Sequence, residues 1–139
     1  MISRRVMLAV LLAAPLRGGD PAQDVWDLLA AMAAALGEAN VNAFLRDFDR
    51  GMPGYEELRA AVAGLVARCE VESSLDPAEN SGDNRRRTVE VDWQMHLVDR
   101  EASQRITVRR ATVKCGFARE GPKWKVVSFA PPDFFAAPR

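Results

Sequence analysis

One histidine, one tyrosine and two cysteines leave this chain short of the side chains that mark the most recognisable chemistries. His96 is the sole imidazole, so a Ser-His-Asp relay has no support, and a metal would need carboxylates or thiolates for most of its ligands. Neither H-E-x-x-H nor C-x-x-C spacing occurs, so no metal site and no cofactor is expected. Net charge is also missing: 19 Lys and Arg balance 19 Asp and Glu. No global field therefore favours nucleic acid, which is not an expected partner. Long hydrophobic runs are absent too. The apolar stretch from Val6 to Leu16 is about half the roughly 20 residues that cross a bilayer as a helix, so no stable membrane insertion is expected. No internal repeat is present. A length of 139 residues with 48% hydrophobic content suits one domain and one core.

The chain opens with an address. Arg4 and Arg5 precede the Val6–Leu16 run, which Arg17 and Gly18 interrupt, the layout of a signal peptide over residues 1–22. Ser3 to Leu8 fits a twin-arginine signal as well as the positive region of a Sec signal, so both export routes stay open. Either places the mature protein, a single domain over residues 23–139, in the periplasm or outside the cell. Losing Arg4, Arg5 and Arg17 would make it mildly acidic, at about −3 if Asp20 is retained.

Helical spacing comes first. Val25, Trp26, Leu28, Leu29, Met32, Ala33 and Leu36 share a face, opened by an Asp24 cap and closed near Gly37. Asn40 can cap a short helix carrying Val41, Phe44, Leu45 and Phe48, stopped by Asp49, Gly51, Pro53 and Gly54. A third helix runs from Tyr55 to about Ala67. Beyond Arg68 the period drops to two, with Cys69, Val71, Ser73 and Leu75 on one side of a first strand. The polar segment Pro77–Arg87 predicts a long mobile hairpin loop. Val89, Val91, Trp93, Met95 and Leu97 define a second strand. In the third, Ile106 and Val108 lie on one parity but Ala111, Val113, Cys115 and Phe117 on the other, which predicts a bulge near Arg109 and Arg110. Glu120, Gly121 and Pro122 turn into a last strand from Trp124 to Ala130, followed by a tail holding Phe134 and Phe135.

Three helices followed by a meander, with Ala35-Leu-Gly-Glu-Ala-Asn-Val-Asn-Ala-Phe-Leu-Arg-Asp-Phe-Asp49 and the closing Trp124-Lys-Val-Val127, resemble the nuclear transport factor 2-like superfamily, including its SnoaL-like and ketosteroid-isomerase-like members. The resemblance implies an α+β, cystatin-like cone, with N-terminal helices packed on a curved antiparallel four-stranded sheet. It also implies a cavity that family members use for hydrophobic ligands, catalysis or dimerisation. It does not select among these uses.

Two functions are therefore carried forward. One is a non-catalytic exported domain that binds a small hydrophobic ligand or mediates protein association, with a homodimer formed through the sheet face. The other is an isomerase, dehydratase or cyclase acting on a small hydrophobic molecule in the cavity. The inward row predicts a ligand pocket of Tyr55, Trp93, Met95, Val113 and Phe117, a row equally suited to plain core; Trp93 and Tyr55 each add a polar tip. Asp47 and Asp49 are the candidate catalytic acids, although the family's isomerases place their base on an early strand. Both also suit a helix-terminal capping role. His96 shares parity with Glu90, Asp92 and Gln94 on the polar face. Arg85, Arg86, Arg87, Arg100, Arg105, Arg109 and Arg110 gather near the hairpins, within reach of Glu90, Asp92 and Asp99. Export would permit Cys69 and Cys115 to bond. First and third strands stand roughly 9.5 Å apart, however, against a Cα separation under about 7 Å for a disulfide, so the bond requires a displaced first strand.

Overall fold

The computed structural model describes residues 20–138. The expected leader falls almost wholly outside them, but its last residues do not. Helix α1 spans Pro21–Gly37, four positions earlier than Asp24 would start it, because Asp20 is the cap. The Asp20 carboxylate accepts from the Ala22 and Gln23 amides, and Pro21 occupies the first turn, where a missing N–H costs nothing. Helix α2 spans Val41–Leu45, with Asn40 accepting from the Ala43 amide as anticipated, and α3 spans Tyr55–Arg68. None of these helices is long and apolar enough to cross a membrane.

The strands are β1 (Cys69–Gly82), β2 (Arg86–Asp99), β3 (Ile106–Glu120) and β4 (Lys123–Ala130), in the order β1-β2-β3-β4 and antiparallel throughout. The long loop expected over Pro77–Arg87 is instead a strand pair closed by a tight turn. Pairing continues to Gly82 and Arg87, past a bulge between Pro77 and Glu79. The Asp83 carboxylate accepts from the Arg85 and Arg86 amides and fixes the turn. This arm reads as loop in the sequence because it runs mostly exposed on both faces, so nothing imposes apolar alternation on it.

The bulge expected near Arg109 and Arg110 is likewise absent. Pairing of β2 with β3 is unbroken from Arg86↔Ala118 to Val98↔Ile106. Ile106 and Val108 simply point out of the sheet, 56% and 58% exposed. The bulge in β3 sits at Gly116/Phe117, opposite β4.

Residues 47–49 cover the outer edge of β4. The Val126 amide donates to the Asp47 carbonyl and the Asp49 amide to the Val126 carbonyl, forming a short parallel bridge. An edge that would otherwise present unpaired backbone groups is closed there. The core lies between the concave sheet face and the helices, and among the described residues everything buried is apolar or aromatic. It includes Leu29 and Leu36 of α1, Phe44 and Phe48 around α2, Val62 and Leu65 of α3, and Val89, Val91, Trp93, Met95 and Leu97 of β2.

Candidate functional site

The inward row of β2 and β3 converges as the alternation requires. Trp93, Met95, Val113 and Phe117 all reach the concave face, none more than 1% exposed. Tyr55 does not join them. It lines a separate depression between α2 and α3, with Leu45, Arg46, Arg50 and Arg59.

What fills the concave face is the tail. After β4 the chain turns back, and Phe134 and Phe135 enter the space in front of Trp93, 3% and 0% exposed. Both rings meet the indole at steep angles, with centroids 5.7 and 5.4 Å away. Phe135 also contacts Phe44 at 5.2 Å and Phe129 at 5.1 Å. Aromatic edges and faces of opposite partial charge favour such packing, by about 0.5–1.5 kcal/mol per pair beyond area burial. Two neighbouring phenylalanines in a tail were the available sequence signal, but no periodicity assigns an isolated pair to a partner surface.

Side chains rather than a strand ladder hold this tail. Arg109 lies on the inward parity of β3, and its Nη1 donates to the carbonyl oxygens of Phe134, at 2.7 Å, and Ala136. Arg68 Nη1 donates to the Pro138 carbonyl at 2.8 Å. Charge-assisted bonds of this type exceed ordinary amide bonds in strength.

The polar tip of Trp93 is satisfied inside the protein, its Nε1 donating to Ser73 Oγ at 3.0 Å. Asp47 and Asp49 sit at the β4 edge, not among the inward residues. The Asp49 carboxylate accepts from the Gly51 amide, a turn-forming role. His96 occupies the outer face between Glu72 and Val108. The hairpin arginines are dispersed: Arg110 pairs with Asp92 at 2.7 Å, Arg105 with Asp99 at 3.9 Å and Arg100 with Glu70 at 3.7 Å. Arg87 donates to Asn80, which itself donates to the Ala22 carbonyl and ties the long arm to α1.

Cys69 and Cys115 are free and buried, so the bond that export would permit is not formed. Cys69 pairs with Asp99 and Cys115 with Val89, at opposite ends of β2. That is roughly 33 Å of extended strand, far beyond disulfide reach. Burial pushes the Cys115 thiol up to about 12 and raises Cys69 as well.

Similar architecture occurs in solved structures of low sequence identity. A nuclear transport factor 2-like superfamily protein from Salmonella enterica superposes with a TM-score of 0.65 at 14% identity, over 77% of this chain and 86% of that one. A ketosteroid isomerase-like protein from Erwinia carotovora gives 0.66 at 10% identity, over 80% and 94%. This chain has the nuclear transport factor 2-like fold. A Nostoc punctiforme protein of unknown function, described as cystatin-like, gives 0.59 at 19% identity over 77% and 86%, in keeping with the same cone. No protein-family model and no curated protein sequence matches the chain. At these identities the likeness establishes the nuclear transport factor 2-like fold, and function rests on the residues of this cone.

Proposed function

We propose that this is a non-catalytic, exported domain of the nuclear transport factor 2-like type that works by association, pairing two copies through the convex sheet face. The observation that carries this reading is the contrast between the two faces. Phe134 and Phe135 occupy the concave side, while Ile106 and Val108 stand more than half exposed on the convex side. Around them, Val98 pairs with Ile106 and His96 with Val108, so the apolar residues form one patch. Glu70 and Glu72 of β1 flank it on one side, and Arg110 and Lys114 continue along β3. An apolar centre with acidic and basic flanks is self-complementary under a two-fold axis. Sedimentation equilibrium tests this. A dimer is expected on the order of 10 μM, and Ile106→Lys with Val108→Lys should yield a folded monomer; a monomeric parent protein at that concentration rejects the reading.

The tie between Arg109 and the tail favours a second reading, in which a small hydrophobic ligand takes the place of the two phenyl rings. A segment held by side chains can leave without breaking the sheet. Native mass spectrometry of the protein from its own compartment separates the two. Retained mass of a few hundred daltons, with the tail opened to protease, supports ligand binding; a bare dimer supports association.

A further inference from the structure

The depression lined by Tyr55 lies on the helical side, between α2 and the start of α3, and has a volume of about 470 Å³. That size suits a small molecule. Arg46, Arg50 and Arg59 line it with Asn42 and Leu45, and Glu56 is its one acidic lining residue. Glu56 is taken: both Nε and Nη2 of Arg59 reach its Oε1, at 2.9 and 2.8 Å. Among the described residues Arg46 and Arg50 have no carboxylate within salt-bridge distance, in contrast to Arg100, Arg105 and Arg110 on the sheet. Three guanidinium groups against one carboxylate leave a local excess of about two positive charges, on a chain whose total charge is zero.

Two further features sharpen the site. Helix α3 opens beside it with Gly54 as its cap residue, at φ 80°, which contributes no side-chain hydrogen bond. The first-turn amides of this 14-residue helix lack a side-chain cap, and Glu56 and Glu57 in that turn offset part of the positive charge at its end. Tyr55 also lines the depression, with its ring buried and its hydroxyl reaching solvent. Leu45 and the Tyr55 ring add an apolar wall.

We propose that this depression binds a phosphate-bearing anion, with the Arg46 and Arg50 guanidinium groups as its main ligands. A phosphate dianion matches the excess charge, whereas a single carboxylate would leave half of it uncompensated. Guanidinium forks hold two phosphate oxygens at once, and the Tyr55 hydroxyl donates to a further one. The wall formed by Leu45 and Tyr55 gives an organic body somewhere to rest, so a small phosphate monoester should bind more tightly than free phosphate. This site is independent of both the sheet face and the tail.

The test is an NMR titration of the full chain with phenyl phosphate and, separately, with inorganic phosphate, at fixed ionic strength, following the arginine Nε–H signals. Saturable shifts at Arg46, Arg50 and Arg59 are expected. In the Arg46→Gln/Arg50→Gln protein the midpoint should rise roughly tenfold or more with an unchanged melting temperature, while Arg110→Gln leaves it unaltered. Tighter binding of phenyl phosphate identifies a monoester, and equal binding identifies free phosphate. Shifts that never saturate, or that are as large at Arg110 as at Arg46, would reduce the effect to general screening and overturn the proposal.

Discussion

Trp93 and Phe135 meet nearly edge to face, at 79° and 5.4 Å between centroids, which joins the middle of the second strand to the last few residues of the chain. Phe135 is fully buried, and its ring also reaches Phe44 and Phe129. Phe135→Ala should therefore cost about 3–5 kcal/mol, the range for buried Phe truncations, read from denaturant midpoints. A loss under about 1 kcal/mol would mean that the tail does not pack there in solution.

Arg109 anchors that tail from the sheet. Replacing it with Gln removes a charge-assisted donor to Phe134 and Ala136 while β3 itself stays paired. Hydrogen exchange at the Phe134 and Ala136 amides, which donate to Pro131 and Asp133, should accelerate, with strand amides unaffected. Uniform acceleration across the sheet would contradict a local anchor.

Both thiols should be silent until the protein unfolds. Burial raises Cys115 to about 12 and also raises Cys69, so neither forms much thiolate near pH 8. A thiol reagent should find almost nothing in the native protein and two groups in denaturant, with or without prior reduction. Appearance of the two groups only after reduction would restore the disulfide.

Acid should weaken the hairpins. The Arg86 and Arg85 amides hold Asp83 low, the Arg110 guanidinium holds Asp92 low, and the Glu101 amide holds Asp99 low. Because these folded-state values lie below the unfolded ones, their stabilisation is complete above about pH 4 and is lost as pH falls through the lower folded values. Melting temperature should thus decline below about pH 4. Asp83→Asn with Asp99→Asn should lower it at neutral pH and flatten the decline.

Two glycines should respond in opposite directions to alanine. At Gly82, φ is 131° and an added Cβ would strike the Arg86 carbonyl oxygen and approach the Arg87 Cα at 2.7 Å. Gly82→Ala should cost about 1–3 kcal/mol. Gly64, inside α3 with nothing within 4 Å of the added carbon, should gain up to about 1 kcal/mol on becoming Ala. Chemical denaturation of the two variants checks both signs.

The helices, the strand order and the inward row of Val89, Val91, Trp93, Met95 and Leu97 were legible in the sequence. Local periodicity carries that information wherever one face is buried, and short turns bring successive strands together. It missed the arm from Pro77 to Gly82 and the outward direction of Ile106 and Val108 for the same reason: where the burial of a strand departs from the core pattern, alternation no longer reports geometry. Only the tertiary structure placed Cys69 and Cys115 at opposite ends of β2, because register, not strand number, sets separation along a sheet. Only it brought Phe134 and Phe135 onto Trp93, and Arg46, Arg50 and Arg59 around Tyr55. Such contacts depend on where a folded surface leaves room and charge, and neither is written in the spacing of neighbouring residues.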